Sequence, residues 1–185
     1  MVIFVDGFQN TGKTTLVENS SFPHDSFPFT ENIQALGLDT KHIPGYQLGK
    51  DLGMLFAFSK MDKNLLIDRG PLSSILYSLK EMRFEEETFS VLRSFADILA
   101  KEKNAKFIFV TKSGMAPTKR EHHDGFDYLD DDNDPNMRKY LSQLQEILDE
   151  AGVRVTFFTN DFSKSEKENS IRFDSIVRKI FYEHD

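Results

Sequence analysis

The chain has 185 residues, enough for one domain with a sizeable core but little room for a second. With 39% hydrophobic residues, 29% charged residues and a mean hydropathy of -0.44, it reads as a water-soluble globular protein, which excludes fibrous and disordered classes. The absence of cysteine rules out disulfides, thiolate zinc sites and cysteine nucleophiles together, and a formal charge of -7 argues against a protein that tracks along a nucleic acid polymer.

No apolar run approaches the roughly 18 to 20 residues a membrane span needs. The opening Met1-Val2-Ile3-Phe4-Val5 runs into Asp6 and Gly7 without the basic start or cleavage site of a signal peptide, so a cytoplasmic location without membrane partners is expected. Phenylalanine is over-used, with 18 copies and no tryptophan, and apolar core filling accounts for most of them.

In chain order, residues 2–5 form a short apolar strand, followed by a glycine-containing turn and a helical start at Thr14-Thr15-Leu16-Val17-Glu18. A second strand is expected at Phe27-Pro28-Phe29-Thr30-Glu31, short and at an edge because of its proline. Asn64 to Ile67 forms a third strand, which breaks at Gly70-Pro71 before a helix. An amphipathic stretch then places Phe89, Leu92, Phe95, Ala96 and Leu99 on one helical face. Lys106 to Val110 reads as the fourth strand. After Pro135, the spacing of Met137, Tyr140, Leu141, Leu144, Ile147, Leu148 and Ala151 predicts a helix stopped by Gly152. Val153 to Phe158 makes a fifth strand, and Phe173, Ile176, Val177, Ile180 and Phe181 a closing helix. This alternation predicts an α/β protein, a mostly parallel sheet of about five strands between two helical layers, with ligands at the carboxyl ends of the strands.

The strongest chemical signal is Gly7-Phe8-Gln9-Asn10-Thr11-Gly12-Lys13-Thr14, a G-x-x-x-x-G-K-[ST] match lying between a strand and a helix. Phosphate oxygens need several donors converging on one spot. A glycine-rich turn entering a helix supplies them as backbone N–H groups, from Gly7, Asn10, Thr11 and Gly12. In that geometry Lys13 reaches the β- and γ-phosphates of ATP, the Thr14 hydroxyl ligates Mg²⁺ and Thr15 lies near the α-phosphate. A second signal is Leu65-Leu66-Ile67-Asp68-Arg69-Gly70-Pro71, an apolar strand that delivers a carboxylate and a guanidinium to the same edge. Asp68 there can orient Mg²⁺ or its waters, and Arg69 can clamp a phosphate in bidentate fashion.

These residues resemble the thymidylate kinase and deoxynucleoside kinase group of P-loop kinases. Asp6-Gly7 with Gly12-Lys13-Thr14-Thr15 looks like the E-G-x-D-G-x-G-K-T-T start of thymidylate kinases, and Asp68-Arg69-x-x-x-Ser73-Ser74-x-x-Tyr77 is similar to their D-R-Y-x-x-S-S-x-A-Y segment. Leu55-Phe56-Ala57 resembles the L-F-A upstream of it, and Met137-Arg138-Lys139-Tyr140-Leu141 is similar to V-R-x-x-Y-x-x-L. The resemblance implies a three-layer αβα P-loop fold of the nucleotide kinase kind. It also implies that Asp68 belongs to the Mg²⁺ and phosphate network, Arg69 contacts acceptor phosphate, Phe56 or a neighbour lines the base pocket, and residues 112–135 form a lid. The departures fall on the acceptor side: Gln9 and Asn10 replace the usual Asp and Gly, Gly70 replaces Tyr, and neither R-E-P-G-G-T nor E-P-x-x-W occurs.

In the expected lid, Lys112, Lys119 and Arg120 can close over the transferring phosphate and exclude water. Beyond Arg120 the segment turns acidic through Glu121, Asp124, Asp127, Asp130, Asp131, Asp132 and Asp134, which reads as a solvated loop. His122-His123, His24 and His42 have no spaced partners and carry no metal expectation. A phosphate acceptor needs positioning rather than deprotonation, whereas a hydroxyl acceptor profits from a carboxylate base. Glu31, Asp39 and Asp6 are candidates for that base, Glu31 preferred because the end of the second strand faces the acceptor pocket.

Three functions fit. The leading one is a kinase acting on a small nucleotide or nucleoside, most plausibly a deoxypyrimidine monophosphate by resemblance. The second is a kinase acting on a hydroxyl of DNA or RNA, which the negative charge disfavours. The third is a regulatory NTPase, against which stands the absence of both N-K-x-D and an apolar strand ending in D-x-x-G. A homodimer is compatible with any of them.

Overall fold

The computed structural model describes residues 1–8, 10–26, 43–81, 86–114 and 135–182. Their elements follow in the order β1 (Val2–Gly7), α1 (Lys13–Glu18), β2 (His24–Ser26), α2 (Ile43–Ser59), β3 (Leu65–Asp68), α3 (Pro71–Glu81), α4 (Glu86–Lys101), β4 (Ala105–Ser113), α5 (Pro135–Glu150), β5 (Val155–Asp161) and α6 (Glu166–Tyr182). The strands form one five-stranded parallel sheet in the order β2-β3-β1-β4-β5.

The central strands are apolar on both faces because both faces are covered. Along β1, Val2 and Phe4 enter one core with Leu65 and Ile67 of β3 and Phe107 and Phe109 of β4. Helices α2, α3, α4 and α5 cover that face, through residues such as Leu55, Leu76, Phe95 and Leu144. The alternate residues Ile3, Val5, Leu66, Ile108 and Val110 point the other way and pack with Leu16 and Val17 of α1 and Phe173, Val177 and Phe181 of α6. The period-two switch of side chains between two helical layers is what makes the αβα sandwich. The phenylalanines do act as core filler: Phe4 stacks on Phe107 with centroids 5.9 Å apart, Phe8 meets Phe109 edge-on at 5.4 Å and Phe158 meets Phe173 at 5.5 Å.

The expected strands at 2–5, 64–67, 106–110 and 153–158 are β1, β3, β4 and β5, with ends shifted by a few residues. The segment Phe27–Glu31 expected as the second strand lies outside the described residues, and β2 forms just ahead of it at His24–Ser26, pairing among the described residues with β3. Among the described residues no helix is long and apolar enough to cross a membrane.

The strand order decides where chemistry can occur. From β1 the chain leaves through α1 toward β2 on one side, whereas from β3 it leaves through α3 and α4 toward β4 on the other. Beyond the carboxyl ends of these two neighbouring strands the connections diverge, opening a crevice.

Candidate phosphate-binding site

The loop after β1 supplies one wall of that crevice. Asn10 and Gly12 take positive φ values of 57° and 78°, which turn the chain into α1. Gly12 caps this helix with backbone alone, no side-chain hydrogen bond being made at the cap. A Cβ at Gly12 would lie 2.5 Å from the Asn160 amide nitrogen, so position 12 needs glycine for both conformation and space. Asn160, buried at the end of β5, donates through Nδ2 to the Thr11 carbonyl at 2.9 Å, and the Thr11 hydroxyl donates to the Phe8 carbonyl at 2.9 Å. The loop is thus held from the next strand but one. Asn160 is in turn framed by Asn169, whose Nδ2 donates to the Asp161 carbonyl at 2.8 Å.

The Lys13 ammonium lies over this loop. It donates to the Gly7 carbonyl at 3.0 Å, to the Phe8 carbonyl, and to the Thr11 hydroxyl at 3.5 Å. Thr15 follows on the first turn of α1, half-buried.

Strand β3 supplies the facing wall. The Thr14 hydroxyl donates to Asp68 Oδ2 at 2.7 Å, joining the start of α1 to the end of β3. Asp68 is buried, and its second oxygen, Oδ1, has no hydrogen-bond partner among the described residues. A buried carboxylate oxygen left open beside a threonine hydroxyl suits a hard, oxygen-seeking cation, so these two residues fit Mg²⁺. Among the described residues no group of three acidic or histidine side chains forms a separate metal cluster. Arg69 is exposed, has φ 75°, and donates its backbone N–H to the Val5 carbonyl at 3.0 Å. A non-glycine residue in the left-handed region is uncommon, and such strain collects at ligand-binding positions.

Asp6 links the two walls. Its carboxylate accepts from the backbone N–H groups of Gly70 at 3.0 Å, Leu72 at 3.4 Å and Ser73 at 2.9 Å, all at the entry to α3. The Ser73 hydroxyl adds a second tie: it accepts from the Gly7 N–H at 3.3 Å and donates to the Gly7 carbonyl at 3.4 Å. Burial raises the Asp6 pKa above the ordinary value, against the opposing pull of Ser73, Gly70 and Lys13. Asp6 therefore leaves the roster of catalytic bases, because it is fully buried and its oxygens serve the α3 entry. The same contacts explain Gly70, which the resemblance marked as a departure. A Cβ there would lie 2.7 Å from Phe4 Cβ and 2.8 Å from Asp6 Oδ2.

Gly7, Asn10, Thr11, Gly12, Lys13, Thr14, Thr15, Asp68 and Arg69 thus gather at the carboxyl ends of β1 and β3. Lys112 is the penultimate residue of β4, at the carboxyl end of that strand, and Phe56 stands on α2 with 45% of its surface open. Glu31, Asp39, His42, Lys119, Arg120, His122 and His123 lie outside the described residues. The sequence reading missed Ser73 and Asn160 as supports. Asn160 was detectable as a polar residue ending an apolar strand, but nothing local announced its target.

This strand order, with a phosphate-loop turn after β1 and an aspartate as the last residue of β3, defines the three-layer αβα P-loop kinase fold. Among solved structures, the chain is similar to a deoxyadenosine kinase from M. mycoides with products dCMP and a flexible dCDP bound, at 14% identity and a TM-score of 0.56, covering 97% of this chain and 100% of that one. It also aligns with a shikimate kinase from Aquifex aeolicus at 14% identity and a TM-score of 0.48, covering 100% of both chains. A gluconokinase from Sinorhizobium meliloti aligns at 14% identity and a TM-score of 0.46, covering 100% of this chain and 97% of that one. No protein-family model matches the chain, and no curated protein sequence does.

Proposed function

We propose that this protein is an ATP-dependent phosphotransferase that passes the γ-phosphoryl group to a nucleotide-like acceptor, a deoxynucleoside monophosphate such as a thymidylate-like pyrimidine nucleotide, or a deoxynucleoside. The observation that carries this reading is the Thr14–Asp68 hydrogen bond, which brings the phosphate loop and the open Asp68 oxygen to one point. The M. mycoides deoxyadenosine kinase, whose structure holds deoxynucleotide products, supports the acceptor class.

In this reading the loop amides of Gly7, Asn10, Thr11 and Gly12 bind the phosphates of ATP. Lys13 turns from the loop carbonyls to the β- and γ-phosphates, and Thr15 lies by the α-phosphate. Thr14 and Asp68 hold Mg²⁺, which when bound supplies charge neutralisation at the phosphate oxygens. Arg69 positions the acceptor in line with the donor, and positioning of this kind accounts for most of the catalysis of phosphoryl transfer. The chain works as a single kinase domain in the cytoplasm, residues 112–135 acting as a lid that brings Lys119 and Arg120 over the phosphates and excludes water. Glu31 serves as base where the acceptor is a hydroxyl.

The test is a panel: ATP and Mg²⁺ with each deoxynucleoside, each monophosphate and a hydroxyl-ended oligonucleotide, with ADP followed. Lys13→Ala should abolish transfer and leave the fold intact, while Arg69→Ala should weaken acceptor use more than ATP binding. ADP release at one rate with or without any acceptor would sink the kinase reading and favour a regulatory NTPase; transfer to the oligonucleotide alone would move the acceptor to nucleic acid.

A further inference from the structure

We propose that Asn169 and Arg172 of α6 are positioning residues for ATP. They hold the end of β5 so that Asn160 pins the phosphate loop in its binding geometry, a role that rests on the ATP-binding reading of the loop above and extends it to the last helix.

The inward stripe of α6 is Asn169, Phe173, Val177 and Phe181, each four residues after the one before. Three of these are apolar core, but the first is an amide with only 3% of its surface open. Burying an amide is unfavourable unless its hydrogen bonds are made, and an aliphatic side chain would fill the position without that demand. Asn169 makes four such bonds. Its Oδ1 accepts from the Asp161 N–H at 3.2 Å and from Arg172 Nη1 at 3.0 Å. Its Nδ2 donates to the Asp161 carbonyl at 2.8 Å and to the Ser165 carbonyl at 3.4 Å.

Asp161 is the last residue of β5, the strand that ends the sheet order. The N–H of the following Phe162 donates to the Ser113 carbonyl of β4 at 2.9 Å. By the alternation of a parallel ladder, the N–H and C=O of Asp161 itself then face outward, where no strand pairs with them among the described residues. Asn169 stands in for that strand and grips both peptide groups that flank the Asp161 Cα. Arg172 fixes which way the grip faces, because a guanidinium only donates and so holds the amide oxygen toward itself. The Arg172 head lies 5.3 Å from the centroid of the buried Phe158 ring, an attraction that keeps it in place.

The grip reaches the ligand in two steps. The peptide whose N–H Asn169 holds is the one joining Asn160 to Asp161, so it sets the backbone from which the Asn160 side chain extends. Asn160 in turn donates to the Thr11 carbonyl at 2.9 Å. That carbonyl and the Gly12 N–H belong to one planar trans peptide and point in opposite directions, so pinning the oxygen aims the N–H. The Gly12 N–H is one of the loop donors given to the ATP phosphates above. Donors aimed before the ligand arrives raise affinity, because less ordering remains to be done on binding.

The test measures binding of a non-hydrolysable ATP analogue with Mg²⁺ by calorimetry on the full chain, which needs no knowledge of the acceptor. Asn169→Ala should weaken that binding by about threefold to thirtyfold, and Arg172→Ala by about threefold to tenfold. Arg172→Lys, which keeps a donor, should restore most of the second loss. In an Asn160→Ala background either alanine substitution should change the affinity by less than about twofold, since the path through Asn160 is already cut. Arg172 is exposed, so the cycle runs on Arg172→Ala if Asn169→Ala does not fold. Unchanged analogue affinity in both single variants, or the same fold-loss whether Asn160 is present or absent, overturns the positioning role. A parent chain that binds no analogue overturns the ATP reading of the loop and this role with it. A parent that binds the analogue and loses affinity in this pattern, yet transfers phosphate from ATP to no acceptor, overturns the kinase reading and leaves the positioning role standing.

Discussion

Replacing Gly70 with alanine asks whether the junction between β3 and α3 is as tight as its distances say. The new methyl would sit 2.7 Å from Phe4 Cβ, 2.8 Å from Asp6 Oδ2 and 2.9 Å from Phe4 Cδ1, each closer than real Cβ contacts come. None of these atoms is the end of a flexible chain; Phe4 is fully buried and Asp6 is bonded in place. Overpacking of this kind costs about 1 to 3 kcal/mol. Forcing Asp6 aside also weakens the bonds at 3.0 and 2.9 Å that it accepts from the Gly70 and Ser73 N–H groups. Hydrogen bonds to a charged group are worth about 1.5 to 3 kcal/mol when lost outright, so partial loss brings the total to about 3 kcal/mol. For a chain of this size that lowers Tm by roughly 6 to 12 °C. The internal control is Gly49→Ala on α2, where an added Cβ meets nothing within 4 Å. There the better helix former should stabilise by up to about 1 kcal/mol. Urea and thermal unfolding of both variants provide the measurement. A Gly70→Ala protein within about 0.5 kcal/mol of the parent, or the same loss at both sites, would refute the reasoning.

Three further outcomes are expected. Asp68→Asn should fold at least as stably as the parent, because it removes a buried charge with one oxygen unbonded, yet bind ATP and Mg²⁺ at least about tenfold more weakly; a large fall in Tm contradicts this. Asn160→Ala should cost about 1 to 3 kcal/mol by stranding the Thr11 carbonyl, and should raise the KM for ATP more than that for the acceptor, an equal rise in both counting against the loop-bracing role. Asp6 sets a pH dependence. Its carboxyl binds a proton more tightly folded than unfolded, so its contribution is full below the unfolded value, near 3.8, and is lost as pH rises through the raised folded value. The stability of the parent relative to Asp6→Asn should therefore fall with pH across that window and then level, as urea midpoints from acid to neutral pH would show; a difference that grows with pH would reverse the assignment.

Strands β1 and β3 were legible because Val2–Val5 and Leu65–Ile67 are uninterrupted apolar runs, as strands covered on both faces must be, and β4 and β5 through the apolar stretches Phe107–Val110 and Phe157–Phe158 within them. Strand β2 was not, since its residues His24, Asp25 and Ser26 are all exposed and polar, and only pairing with β3 makes them a strand. Helix α2 was equally hidden: Gly49, Gly53, Phe56 and Ala57 are exposed while Asp51 is buried, so its sequence shows no apolar stripe against a polar one. The phosphate loop could be read because its conformation is encoded locally by Gly7 and Gly12. The roles of Asp6, Gly70 and Ser73 depend on contacts between residues more than sixty positions apart, which no local pattern records.

The Lys13 bonds to the loop's own carbonyls have a consequence for turnover. The loop carries an internal rival for its lysine, so an arriving phosphate gains only the difference between two sets of hydrogen bonds. That difference tempers affinity, and it gives the lysine somewhere to return when product leaves. On the phosphotransferase reading proposed above, a loop built this way is expected to exchange its ligands readily instead of trapping them, as release of ADP in every cycle would require.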